Sequence, residues 1–127
     1  MSQTVGLTED PQLEIVSAYA AGSEQIPAVA VGPGWYVVGA FRVTSSYAEA
    51  RLEAVGVVAE AGLVMRVRLF DLETNQSVPT SVVSIVSTLD EAVVSAAFDV
   101  FADRVYQVQC EVVGPSSFGV FKTATLV

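Results

Sequence analysis

Histidine is absent from this chain of 127 residues, and only one cysteine, Cys110, is present. Without histidine the chain cannot build a Ser-His-Asp relay, a Cys-His relay or a histidine-based zinc site. A lone cysteine also excludes an internal disulfide. Paired carboxylates are therefore the only common catalytic arrangement that the composition leaves open.

Basic residues are scarce as well. Six Lys and Arg stand against fourteen Asp and Glu, so the net charge is −8 and the sequence pI is about 4.2. No basic patch is available to neutralise the phosphates of a nucleic acid or the headgroups of an anionic membrane. We therefore expect neither as a partner.

Long apolar runs are missing too. The longest uncharged stretch, residues 25–41, is interrupted by Pro27, Gly32, Pro33 and Gly34 and falls short of the roughly 20 residues of a membrane span. The first residues lack the basic and apolar regions of a signal peptide. The sequence predicts a soluble protein made in the cytoplasm.

Apolar residues, in contrast, are abundant and recur with a period of two. Hydrophobic residues make up 52% of the chain, and the mean hydropathy is +0.54. Alternation of this kind indicates strands with one buried face. The sequence predicts a single all-β domain over residues 12–127, an antiparallel, jelly-roll-like β-sandwich of about eight or nine strands.

Two segments, 47–61 and 89–103, are ambiguous between strand and helix. Ser46 and Glu49 fit a helix capping box, and a similar pair precedes the second segment. Charged and apolar residues nevertheless alternate strictly in both segments, which favours strands. Helices at these two places would make the domain α+β instead.

The segment 103–113 is the clearest strand in the sequence. Tyr106 and Cys110 fall on its apolar side, so we expect both to be buried and Cys110 to be unreactive. Gln107, Gln109 and Glu111 fall on the other side, which the alternation predicts to be wet. A further strand is predicted over 78–86, and a hairpin turn at 114–116 before the last strand.

From Met65 onward the order of the segments is informative. RVRLFDLETNQSVP is followed by serine-rich SVVSIVST, then EAVVSAAFDV, DRVYQVQCEV and a closing strand. Over residues 65–127 this order resembles that of jelly-roll-like β-sandwich modules in bacterial surface and phage structural proteins. The resemblance implies an all-β fold and a structural role.

The acidic residues include two candidate catalytic pairs, Glu49 with Glu53 and Asp99 with Asp103. Facing carboxylates can supply an acid and a base for glycoside hydrolysis. Spacing alone does not distinguish such a pair from solvated surface charges, and we favour the latter. We expect no catalytic residue and no enzyme activity.

A second acidic group, Asp71, Glu73 and Asn75, places oxygen ligands at alternate positions as calcium loops do. The expected glycine and the terminal acid of such a loop are missing. The segment predicts a polar hairpin turn, and we expect no metal and no cofactor.

Some predicted strands are apolar on both faces. In the segment 35–41 one face carries Tyr36, Val38 and Ala40, and the segments 54–59 and 118–121 show the same property. A strand of a lone two-layer sandwich should have one wet face. We therefore predict self-association, with a subunit contact formed by Tyr36, Val38, Ala40, Phe118 and Phe121.

Residues 1–11 precede the first alternating strand and contain few large apolar groups, chiefly Val5 and Leu7. They can add little to the core of the domain. We predict an extended assembly arm that pairs with a neighbouring subunit by strand addition.

Surface aromatics suggest a different class of function. A row of exposed aromatic rings can stack on sugars, and the candidates in this chain are Trp35, Tyr36, Tyr47, Tyr19 and Tyr106. The alternative function is therefore a carbohydrate-binding or adhesive module.

The first expectation is a non-enzymatic structural protein. It would form homo-oligomers and bind other structural proteins of a larger assembly, as a virion-associated capsid decoration protein or an appendage subunit does.

Overall fold

A computed structural model describes residues 24–43 and 45–127, together with the backbone of two strands nearer the N-terminus. This part of the chain is all-β and contains no helix. The strands are β1 (Ser2–Val5), β2 (Leu13–Ser17), β3 (Glu24–Val29), β4 (Tyr36–Val43), β5 (Tyr47–Ala50), β6 (Leu52–Val58), β7 (Val64–Asp71), β8 (Gln76–Ser77), β9 (Val83–Ile85), β10 (Glu91–Val94), β11 (Phe98–Val100), β12 (Val105–Val113) and β13 (Phe118–Leu126). The two ambiguous segments form β5, β6, β10 and β11, so the preference for strands is confirmed.

Eleven of the strands form one curled sheet. The order of its main strands is β1-β4-β12-β3-β13-β6-β10. In addition, β2 pairs with β13, β7 pairs with β12, and β8 and β9 both pair with β7. Strands β5 and β11 form a separate two-stranded ribbon. The pairings β1 with β4 and β12 with β3 are parallel. The sheet is therefore mixed, and the prediction of purely antiparallel pairing is wrong.

Strand β3 is the corner at which the sheet folds over. Its residues 24–27 pair with β13 in the antiparallel sense, whereas Ala28 and Val29 pair with β12 in parallel. Because β3 lies between them, β12 and β13 belong to different halves of the sheet. The segment 114–116, predicted as a hairpin turn, carries the chain from one half to the other.

The core lies between the two halves, and two glycines allow a close approach there. A Cβ atom at Gly119 would lie 2.6 Å from Met65 Cε, and one at Gly56 would lie 2.9 Å from Met65 Sδ. Met65 therefore fills space that any larger residue at 56 or 119 would occupy. The largest fully buried apolar side chains are Tyr106, Phe41, Phe121, Ile26, Leu52, Met65, Leu69, Ile85, Leu126 and Val43.

The strand predicted over 78–86 is shorter in the structure and is divided by a turn. Pro79 has no N–H to donate, and Thr80 has a φ of 66°. The Ser81 hydroxyl donates to the Val78 carbonyl at 2.7 Å and accepts from the Leu69 N–H at 3.1 Å. These side-chain hydrogen bonds replace the backbone hydrogen bonds that would pair a continuous strand with β7. For that reason β8 ends at Ser77 and β9 begins at Val83.

The side of β12 that carries Gln109 and Glu111 was predicted to be exposed to solvent, but in the structure these two residues are buried. Gln109 is only 8% exposed and Glu111 only 1%. Gln109 accepts a hydrogen bond from Arg68 Nε at 2.9 Å, and the loop between β3 and β4 covers Glu111. The Gly34 N–H donates to Glu111 Oε1 at 2.8 Å, and Arg66 Nη1 donates to Glu111 Oε2 at 3.3 Å. The buried carboxylate thus has a partner for each oxygen, as burial of a charge requires.

The N-terminal strand pairs within the chain. Ser2 to Val5 pair in parallel with Ala40 to Val43 of β4 in the same chain. The backbone of β1 is therefore an edge strand of the sheet in the single chain, and pairing of this segment with a neighbouring subunit stays a prediction. Val5 ends this strand, and Leu7 lies outside the described residues. No helix in the described residues is long and apolar enough to cross a membrane.

Candidate functional site

The candidate site is a partly exposed apolar surface on one half of the sheet. On β6 the side chains of Leu52, Ala54 and Val58 point into the core, and Gly56 faces it too, so residues 53, 55 and 57 point outward. The pairing places Val120 of β13 opposite Val57, and Ala92 of β10 opposite Val55. We call this surface the outer face; it is formed by Val55, Val57, Ala92, Val94, Phe118 and Val120.

Two phenylalanines of β13 separate according to this alternation. Phe118 lies on the outer face and is partly exposed, whereas Phe121 is 0% exposed and packs in the core. Phe121 is therefore a core residue, and its side chain is not available to the subunit contact that the sequence predicted. The doubly apolar segments 54–59 and 118–121 are explained: one set of side chains fills the core, and the other forms the outer face.

The outer face carries little charge for a chain with a net charge of −8. Glu53 lies at one side, opposite Val94 on β10. Lys122 Nζ lies 2.6 Å from Asp90 Oδ2, and this pair has no net charge. At the edge of the sheet Val94 is 48% exposed. The centre of the face is therefore both apolar and uncharged.

The remaining predicted contact residues lie elsewhere. Tyr36, Val38 and Ala40 are on β4, which is separated from β13 by β12 and β3. The register between β4 and β12 shifts between Gly39 and Val37, so the side-chain alternation changes there. Tyr36 is exposed, whereas Ala40 is partly buried and Val38 packs against the core. The structure does not bring these three residues together with Phe118.

The carboxylates combine differently from the predicted pairs. Glu53 lies at the outer face, and Asp103 lies in the turn before β12, where its N–H donates to the Val43 carbonyl at 2.7 Å. Pairing of β5 with β11 instead brings Glu49 to Asp99, and the Glu49 N–H donates to Asp99 Oδ1 at 3.4 Å. These two residues are fifty positions apart, so no local sequence signal could have joined them.

Glu49 and Asp99 border an open cleft of about 560 Å³. We call it the acidic cleft; its other walls include Val78, Pro79, Ala97 and Phe101. It lies between the β5–β11 ribbon and the turn that follows β8.

The turn after β7 is polar, as predicted, and the Asp71 carboxylate that begins it is engaged within the protein. Asp71 accepts from the Glu73 N–H at 2.8 Å and from Arg104 Nη1 at 2.8 Å. The hydrogen bond to Asp71 raises the pKa of Arg104. Among the described residues no three His, Cys, Asp or Glu side chains are grouped so that they could hold a metal ion.

The aromatic candidates do not form an exposed row in the described residues. Tyr106 is buried, as its position in the alternation predicted, and stacks on Phe41 with ring centroids 5.7 Å apart. The Arg68 guanidinium lies over the Trp35 ring at 4.0 Å and covers that face of it. Tyr47 packs against the core, and Tyr19 lies outside the described residues.

Comparison with known proteins shows distant similarity to solved structures. No family model matches the chain, and neither does any curated protein. Among solved structures, the chain is similar to part of a β-glucosidase from Paenibacillus barengoltzii, with 9% identity and a TM-score of 0.45. The similarity covers 99% of this chain but only 13% of the β-glucosidase chain. A similarity this distant assigns neither a fold family nor a function.

Proposed function

We propose that the protein is a non-enzymatic structural subunit that binds a second copy of itself through the outer face. The larger assembly would be a virion, in which the chain acts as a capsid accessory or decoration protein, or an appendage. This proposal includes a jelly-roll-like sandwich architecture, the class that residues 65–127 resemble. The observation that carries it is the outer face itself, on strands whose other side already fills the core.

The uncharged centre of the outer face is compatible with a second copy as the occupant. Two chains with a net charge of −8 repel each other, so a contact between them needs a surface that does not place like charges opposite one another. The outer face meets this condition because its centre is formed by Val55, Val57 and Val120. A two-fold axis would bring the same patch together from both chains.

The edge strand β10 extends this surface. Among the described strands it pairs with β6 on one side, and its exposed Val94 forms the border of the outer face. Edge strands with apolar side chains are sites at which sheets associate. Contact at the outer face and at β10 would therefore bury a continuous apolar area.

The test is the mass of the particle in solution for wild type and for Val120→Lys, measured by light scattering. We expect wild type to be larger than a monomer and Val120→Lys to be monomeric, because a charge in the contact must be desolvated. Val31→Lys, in the exposed loop after β3, is the matched control and should keep the wild-type mass.

A melting curve for each variant separates loss of association from loss of folding. Val94→Lys is a second variant at the exposed edge, where a lysine can be accommodated if Val120→Lys does not fold. A wild-type chain that remains monomeric at high concentration contradicts the proposal. Variants at 94 and 120 that keep the wild-type mass also contradict it.

A further inference from the structure

The acidic cleft is a second surface that the proposed assembly does not use. Its mouth carries the carboxylates of Glu49 and Asp99, both exposed, while its walls include Val78, Pro79 and Phe101. Phe101 is 45% exposed. The cleft therefore combines negative charge with an apolar lining.

Its shape is held by contacts between the two walls. The Thr80 hydroxyl lies 2.8 Å from the carbonyl oxygen of Ala97 and links the turn after β8 to the ribbon. The Phe101 N–H donates to the Tyr106 hydroxyl at 2.9 Å, and the Ala102 N–H donates to Ser46 Oγ at 2.8 Å. The cleft is thus formed before any ligand arrives.

The acids of the cleft have no cation of their own in the described residues. The ion pairs found there join Arg66 to Glu111, Arg104 to Asp71 and Lys122 to Asp90. Arg68 is held by Gln109 and Trp35. Glu49 and Asp99 take part in none of these pairs.

The cleft also continues beyond these two acids. Two smaller hollows of about 190 and 210 Å³ adjoin it, and Asp99 and Phe101 border both. Arg104, salt-bridged to Asp71, lines the first of them, so that side already has a cation. Glu49 and Asp99 are therefore the carboxylates of the acidic cleft that no ion pair of the described residues balances.

We propose that the acidic cleft binds a basic segment of a partner protein. An arginine side chain of that segment would place its guanidinium between Glu49 and Asp99 and its aliphatic stem against Pro79 and Phe101. A guanidinium suits paired carboxylates because it presents several N–H donors in one plane. The two smaller hollows, which share Asp99 and Phe101 with the cleft, would hold the residues on either side of the arginine.

The probe is a blocked hexapeptide of alternating arginine and alanine, titrated into the full chain and followed by NMR. The control peptide has citrulline in place of each arginine, which keeps the shape and removes the charge. We expect saturable shifts at the amides of Ala97 and Phe101 with the arginine peptide and much smaller shifts with the citrulline peptide.

The test variant carries Glu49→Gln and Asp99→Asn together. Its matched control is Glu53→Gln, which removes an acid at the outer face. Asparagine at 99 keeps an oxygen to accept the Glu49 backbone N–H. The double variant should bind the arginine peptide about fivefold to tenfold more weakly, the effect of two exposed ion pairs. Glu53→Gln should bind like wild type.

The proposal is overturned if the citrulline peptide binds equally well, if the double variant binds like wild type, or if the shifts occur away from the cleft. An absence of saturable binding by wild type overturns it too. None of these results bears on the outer face, so this proposal and the proposed function fail separately.

Discussion

Cys110 lies in the middle of β12 and is fully buried between the two halves of the sheet. Burial in apolar surroundings, together with the smaller effect of the charges of Glu111 and Glu24, raises the pKa of its thiol to about 12. The neutral thiol is therefore the form present in the folded protein at ordinary pH. Its predicted inertness follows from this, because the thiolate is the reactive species.

The prediction at the scale of a residue concerns pH. The unfolded thiol loses its proton near its ordinary pKa, whereas the folded thiol keeps it up to about pH 12. Between these values the folded state binds more protons, so the free energy of unfolding should fall as the pH rises. Urea unfolding of wild type and Cys110→Ala at pH 8 and pH 10 measures the effect.

Cys110→Ala should lose the part of this decrease that comes from the thiol. The native protein should also react slowly with an aromatic disulfide reagent at pH 8 and rapidly once it is unfolded. Fast labelling of the native protein, or an identical pH dependence in both proteins, would contradict the prediction.

At the scale of the elements, the packing of β13 and β6 against β7 depends on two glycines and a methionine. A methyl group at Gly119 would lie 2.6 Å from Met65 Cε and 2.9 Å from Val112 Cγ2. Real Cβ atoms do not approach other atoms so closely, so the strands or the methionine must move. The distance between the two halves is therefore set partly by the absence of a side chain.

We expect Gly119→Ala to lower the free energy of unfolding by about 1–3 kcal/mol, the usual cost of overpacking. The same change should cost less in a Met65→Ala background, because the nearest atom that the new methyl group meets, Met65 Cε, is then absent, although the contact with Val112 remains. Gly62→Ala is the control. The cost of Gly62→Ala arises from the φ of 95° at this position, where no atom lies within 4 Å of an added Cβ. Met65→Ala should not change that cost. Equal costs of Gly119→Ala in both backgrounds would refute this account.

At the scale of the whole molecule, the net charge of −8 acts on the two proposed contacts in opposite directions. Copies that meet through an uncharged face still repel at long range. The Debye length falls from about 30 Å at 0.01 M salt to about 3 Å at 1 M, so salt removes most of this repulsion. A basic peptide in the acidic cleft, in contrast, is held by attraction that the same salt weakens.

We therefore predict that sodium chloride strengthens self-association and weakens binding of the arginine peptide. Sedimentation measures the first across this range of salt, and the peptide titration measures the second. Val120→Lys should show no salt-dependent association. Association that weakens as salt is added would mean that ionic contacts, rather than the outer face, join the subunits.

Much of the fold could be predicted from local pattern. Alternation with a period of two identified strands along most of the chain, including the two ambiguous segments, and it placed Tyr106 and Cys110 in the core. Composition alone excluded histidine-based chemistry. These predictions succeed because side-chain direction along a strand repeats every second residue, whatever the strand pairs with.

The tertiary structure decided what depends on partners that are distant in the sequence. Alternation assigned Glu111 to a wet face, but a loop some eighty residues earlier covers it and satisfies its carboxylate. Likewise, only the pairing of β5 with β11 joins Glu49 to Asp99, and only the corner at β3 separates β12 from β13. A period of two tells which residues share a face of a strand; the pairing of strands determines what covers that face.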